Sequence, residues 1–194
     1  MLVPNSVESS AIEGHLPFTT QSALAAGMTA AELESDHWRS VMTDVWVAAS
    51  APVDRATWRD AARLVLPADA VLCGLSALAE HGVELRPDGD IAVHVATGVK
   101  YRRHSPAIVN HRLVLEPEEV AILGRWLVTT PQRTAFDCVR WADPTQAVET
   151  ADTIVRADLV RVDELLDLAA QYPRLHGTCQ VREVCDALGR SAAA

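Results

Sequence analysis

The tightest constraint in the sequence lies at residues 19–32, where two helix starts and one helix stop follow in close succession. Thr19-Thr20-Gln21-Ser22-Ala23-Leu24-Ala25-Ala26-Gly27 supplies a threonine cap, a run of Ala and Leu, and a glycine that halts the helix. Two residues on, Thr29-Ala30-Ala31-Glu32 is a capping box. The threonine hydroxyl accepts from the N–H three residues later, and the glutamate reaches back to the cap. Leu33 falls on the inner face of this second short helix, which should end near His37. Two short helices joined by a tight turn make a helix-turn-helix. Residues 38–48 then alternate as a β-hairpin does, with Thr43-Asp44 near the turn. Helix, turn, helix, hairpin is the order of a winged helix, assigned to residues 8–50.

A hinge follows at Ala49-Ser50-Ala51-Pro52, and residues 51–194 predict a mixed α/β domain with a helical C-terminal half. Asp54 caps a helix over residues 55–66 whose apolar face is Trp58, Ala62, Val65 and Leu66, and Pro67 ends it. Val71-Leu72-Cys73 predicts a buried strand, and Ser76 opens a short helix that stops at Gly82. Residues 91–97 and 108–115 predict two strands flanking a basic loop, with Arg125-Trp126-Leu127-Val128 a third. Thr130-Pro131 is a strong helix start, a cap with proline in the first turn, opening a helix through Trp141. Three more amphipathic helices are expected over residues 144–157, 162–171 and 176–188. The fold class expected for the whole chain is α+β.

Charge narrows the function. The chain carries a net −9, which argues against a general nucleic-acid coat. Residues 91–115 nevertheless hold no acid and four bases, Lys100, Arg102, Arg103 and Arg112, one basic stretch able to face a polyanion. No run of apolar residues is long enough to span a membrane, and the first sixteen residues lack the pattern of a secretory signal. Cys73, Cys138, Cys179 and Cys185 are too scattered for a disulfide framework and read as reduced thiols of a cytoplasmic protein.

Three blocks recur in an order that resembles a known family. The first is Pro17-Phe18-Thr19-Thr20, Ala26-Gly27 and the Thr-capped helix before Asp44-Val45-Trp46-Val47. The second is Val71-Leu72-Cys73-Gly74-Leu75-Ser76-Ala77-Leu78-Ala79-Glu80-His81-Gly82-Val83. The third and most specific is Leu127-Val128-Thr129-Thr130-Pro131-Gln132-Arg133-Thr134-Ala135-Phe136-Asp137. Together, over roughly residues 15–185, they resemble the AbiEi-type antitoxins of type IV toxin–antitoxin systems. The likeness is to the actinobacterial form lacking the endonuclease-like C-terminal domain. It implies an N-terminal winged helix that binds operator DNA and represses its own operon. It also implies a C-terminal part that counteracts a nucleotidyltransferase-like toxin.

The residues expected to touch double-stranded DNA or a toxin protein are Thr20, Gln21, Thr29, Arg39, Lys100, Arg102, Arg103 and Arg112. The expected recognition helix, however, reads Ala30-Ala31-Glu32-Leu33-Glu34-Ser35-Asp36-His37, and its acids would meet the phosphate field. That composition keeps open a second reading, a protein-interaction module with the antitoxin fold but no DNA binding. A third is a degenerate nucleotidyltransferase, from Asp88-Gly89-Asp90 downstream of Gly74-Leu75-Ser76. Two aspartates with no further acid before Glu116 are too few for a two-metal site, so no catalytic residue, metal or cofactor is assigned. A nuclease is excluded in the same way, because the only lysine, Lys100, has Gly98 two positions before it. Arg133 and Asp137, four apart in the Thr-Pro helix, are read as a structural ion pair, and the five tryptophans as core. The histidines show no metal-ligand spacing.

Overall fold

The computed structural model describes residues 16–85, 92–97 and 107–192. It is an α+β protein of two compact units, one running through Ala68 and the other made chiefly of residues from Asp69 onward.

In the first unit the local caps decide the start of the chain path. Strand β1 (Phe18–Thr19) runs directly into α1 (Thr20–Ala25), followed by α2 (Ala30–Leu33). The Thr19 hydroxyl accepts from the Ser22 N–H at 3.0 Å, and the Ser22 hydroxyl oxygen accepts from the Thr19 N–H at the same distance. Thr29 and Glu32 form the second box, the carboxylate accepting from the Thr29 N–H at 2.7 Å. Gly27 between them takes φ +91°, a left-handed conformation that glycine adopts without strain. Strands β2 (Trp38–Met42) and β3 (Val45–Ala48) make the hairpin, turning at Asp44 with φ +63°. The sheet order is β1-β3-β2, all antiparallel, with Phe18 opposite Trp46 and Arg39 opposite Val47.

Helix α3 (Arg55–Val65) is capped by Asp54, whose carboxylate accepts from the Thr57 N–H at 2.9 Å. Its buried face is Thr57, Ala61 and Ala62; of the expected stripe Trp58, Ala62, Val65 and Leu66, Ala62 is fully buried and the three larger groups are half-buried. Small side chains let a helix lie close on a sheet, and α3 packs on all three strands. Phe18, Ala23 and Leu33 form the small core, with Met28, Trp38 and Trp46 against it. The Phe18 and Trp38 rings meet edge to face, centroids 5.0 Å apart.

The second unit is built on a five-stranded sheet ordered β6-β5-β4-β8-β7. Its centre is the short strand β4 (Val71–Leu72), antiparallel to β5 (Val93–Ala96) and parallel to β8 (Trp126–Thr129). The continuous apolar run of β4 suits a strand covered on both faces. At the edges lie β6 (Ile108–His111) and β7 (Val120–Leu123). Strand β7 was not anticipated: it exists as the hairpin partner of β8, across a turn where Gly124 takes φ +56°. A 3₁₀ turn, Pro117–Glu119, leads into it.

Helix α4 (Gly74–Glu80) begins two residues earlier than expected, at the strand's end. Helix α5 (Pro131–Trp141) starts where the Thr-Pro signal places it, and is followed by α6 (Ala147–Arg156), α7 (Val162–Gln171) and α8 (Thr178–Ala192). Helix α6 starts late because the Asp143 carboxylate accepts from the Thr145 N–H at 3.0 Å and holds a turn there. The core gathers on α5, where every residue from Arg133 to Arg140 is buried, around Phe136, Ile154, Leu165 and Val181. No helix among the described residues is long and apolar enough to cross a membrane.

Candidate functional site

Of the side chains expected to contact DNA or a partner, the first unit brings four onto one small domain and gives most of them local work. The Thr20 hydroxyl accepts from the Trp46 indole at 2.9 Å, tying α1 to the hairpin. The N–H and hydroxyl of Thr29 are both engaged with Glu32. The Arg39 guanidinium donates to the Ala51 carbonyl at 2.6 Å. Gln21 is exposed on α1. On the outer surface, Ala30, Ala31, Glu34, Asp36 and His37 are exposed, while Leu33 turns inward. Arg112 is exposed in the second unit, just after β6. Lys100, Arg102 and Arg103 lie outside the described residues, as do Asp88 and Asp90. Ser76, the other part of the nucleotidyltransferase comparison, accepts from the His94 N–H at 2.8 Å and so serves the junction of α4 with β5.

The second unit contains a buried charge network that sequence reasoning found only in part. Arg133 and Asp137 do pair, Nε to Oδ2 at 3.1 Å, but inside the protein, at 1% and 0% exposure. Arg133 Nη1 also donates to both oxygens of Glu119, at 2.8 and 2.7 Å. The second oxygen of Asp137 accepts from Arg140 Nε at 2.6 Å, and Arg140 Nη1 donates to the His176 carbonyl. Two guanidiniums and two carboxylates make the group neutral. Burial works against the Arg133 charge, yet Asp137 and Glu119 more than offset it and raise its pKa. Burial pushes the Asp137 carboxyl up, with both guanidiniums pulling the other way. Positions 133, 137 and 140 share one helix face, a stripe readable from spacing; Glu119 comes from a different element and is not.

Beside this network is a cleft. Its sides are the ends of β5 and β6 with α5 on one hand and α6 on the other, and its volume is about 580 Å³. His94 Nδ1 and His111 Nε2 are 2.9 Å apart in it, one donating to the other. With ring centroids 5.1 Å apart and planes 24° apart, the two imidazoles meet edge to edge. The His111 ring stacks on Trp141 at 4.1 Å, and the Arg140 guanidinium lies 4.5 Å from the same indole. Gly74 at the start of α4 admits the indole, since a Cβ there would sit 3.0 Å from the Trp141 ring. Opposite stand Glu149, Thr150 and Thr153 of α6. Trp141 therefore lines a cleft in addition to packing. The signal for the histidine pair was weak: alternation in β5 buries Val93 and Val95 and turns His94 to the other face.

Among the described residues, the cleft lining offers hydrogen-bond acceptors and donors. Burial pushes the thiols of Cys73 and Cys138 up, so neither is a ready thiolate. Among the described residues, no three His, Cys, Asp or Glu side chains converge as a metal site. Burial, then His94 and Arg140, hold the His111 pKa down to about 4 from 6.5.

No family model matches the chain. A search of curated proteins finds no match either.

The depressed His111 pKa has a definite sign for stability. The unfolded chain takes up this proton near pH 6.5 and the folded protein only near 4. The contribution is thus complete above pH 6.5, fades as pH falls, and is gone below 4. The full shift corresponds to about 3 kcal/mol, and solvent access to a half-buried ring reduces this to about 1–2 kcal/mol. Urea unfolding at pH 7 and pH 4.5 should show that loss in the native sequence. His111→Gln, which keeps a hydrogen-bonding group without a titration, should lose correspondingly less; equal losses would refute the assignment.

Proposed function

We propose that the protein is an antitoxin-like transcriptional regulator of the cytoplasm, whose N-terminal unit is a winged helix for operator DNA. Its C-terminal unit is assigned to a nucleotidyltransferase-like toxin. The observation that carries the reading is the path strand, helix, turn, helix, hairpin over residues 18–48, with β3 pairing between β1 and β2. In a helix-turn-helix the second helix lies in the major groove with its N-terminal residues toward base edges. Gln21, on the first helix, and Arg39 are suited to the phosphate backbone that this helix crosses. Further cations are Lys100, Arg102, Arg103 and Arg112, the run without an intervening acid.

The test is binding of the full-length protein to DNA from upstream of its own gene across a salt series. Affinity should fall steeply with salt. Arg102→Ala with Arg103→Ala should reduce the logarithmic slope by about 2, close to one unit for each phosphate no longer neutralised. Weak binding that is flat in salt would sink the DNA assignment.

One observation favours a second reading. Glu34 and Asp36, exposed at the end of α2, are the groups a phosphate backbone would repel. Under that reading the same surface is a protein-interaction module, and the flat salt response is its expected result.

A further inference from the structure

We propose that the open edge of β7 pairs with β7 of a second copy of this chain, antiparallel about a twofold axis at Ile122. A sheet edge is a row of unpaired N–H and C=O groups, and proteins ordinarily blunt it with charge, polar groups, a bulge or extreme shortness. The other edges here are treated so. Strand β1 has two residues, β2 carries Arg39 and an irregular register between Ser40 and Met42, and β6 ends in Asn110 and His111 before Arg112. Strand β7, Val120-Ala121-Ile122-Leu123, has no charge, no proline and a regular pairing with β8. Ile122 is 75% exposed and Val114 83%, the highest values of any large apolar side chain among the described residues. Val114 lies beside the start of the strand, its carbonyl 3.5 Å from the same Arg133 Nη1 that binds Glu119.

Backbone geometry sets the pairing. The Thr130 N–H donates to the Glu119 carbonyl at 2.9 Å, so Val120 and Thr129 face each other without exchanging bonds. Ala121 and Leu123 then turn their peptide groups to β8, while Val120 and Ile122 turn theirs outward. The Pro117 carbonyl takes the Val120 N–H. Left without a protein partner among the described residues are the Val120 C=O and both peptide groups of Ile122. Setting Ile122 opposite its own copy joins N–H to C=O twice, and the Val120 C=O then meets the Gly124 N–H of the second copy. Charge favours the same direction. Glu116 and Glu118 are exposed at one end of the strand, and an antiparallel mate carries its own acids to the far end. A twofold contact covers both open edges at once and closes, with an uncharged strand of matching length on each side. The patch is short, so the dimer is weak and reversible.

The experiment is sedimentation velocity of the full-length protein from micromolar to millimolar concentration at about 0.15 M salt, where repulsion between two acidic chains is largely screened. A reversible monomer–dimer equilibrium is expected. Ile122→Lys sets two cations on the axis, and Ile122→Pro deletes the outward N–H without removing a bond to β8. Each should weaken the dimer by more than about tenfold while leaving the circular dichroism spectrum native. Val148→Lys, on the exposed surface of α6, should leave association unchanged. Hydrogen exchange at the Ile122 amide should slow as the dimer forms. A native protein that stays monomeric throughout would overturn the proposal and leave the edge to a strand of another protein. So would a dimer that Ile122→Lys does not weaken, one that Val148→Lys weakens equally, or one in which the Ile122 amide exchanges as fast as in the monomer.

Discussion

Arg133→Met should destabilise the protein by about 3–5 kcal/mol, the cost of leaving buried carboxylates without their cation. Glu119 receives both of its ion-pair bonds from Arg133 Nη1, and Asp137 keeps only Arg140 when the guanidinium goes. Neither acid can turn to water, since the Glu119 side chain is 9% exposed and that of Asp137 is 0%. The loss therefore reflects the desolvation of stranded charge more than the worth of the bonds. Adding Glu119→Gln to Arg133→Met should recover part of it, because a neutral amide costs less to bury. Urea unfolding of the native protein, the single variant and the double variant measures all three. A single-variant loss below about 1 kcal/mol, the range of exposed pairs, would show the network is not buried as described.

The second large effect is expected at Gly177, just before α8. Its φ is +84°, and a Cβ there would collide with the Arg140 backbone oxygen. Gly177→Ala should cost about 2–4 kcal/mol, combining left-handed strain with overpacking of a close helix approach. The neighbourhood cannot give easily. Arg140 Nη1 bonds the His176 carbonyl, and the Gln180 amide donates to the Val139 and Ala142 carbonyls at 2.7 and 3.0 Å. These bonds satisfy the last acceptors of α5 and fix the start of α8 against it. Gly189 is the contrast: a Cβ there meets nothing, and it lies inside α8. Gly189→Ala should be neutral or stabilising by up to about 1 kcal/mol through helix propensity. Thermal unfolding of the two variants separates the effects; equal shifts would remove the close approach from the explanation.

Features written into neighbouring residues were readable from the chain. Thr29-x-x-Glu32 and the Gly27 stop act within one turn of helix and are found at their places; α5 also starts at Pro131 as expected, although the Thr130 hydroxyl makes no capping bond. The same locality made Arg133 and Asp137 a visible pair, and it failed at their environment. Whether a helical ion pair faces water depends on what packs over it, and here Glu119 arrives from the 3₁₀ turn before β7, outside the helix itself. Strand β7 was missed for a related reason: a run of four residues becomes a strand only because β8 folds back on it. In α3 the sequence located Ala62 on the buried face, but proximity to the sheet favoured Ala61 and Thr57 beside it over the larger Trp58, Val65 and Leu66. The histidine pair needed the alignment of β5 with β6, which no spacing along one segment records.

The parallel pairing of β4 with β8, Val71 beside Leu127, also bears on how the chain reaches this shape. An antiparallel neighbour can close through a tight loop, whereas these two segments must meet across everything encoded between them. That closure costs entropy before the pairing contributes anything. The central sheet is consequently expected to form late in folding, and the chain to fold more slowly than a helical bundle of equal size, which stopped-flow refolding would measure.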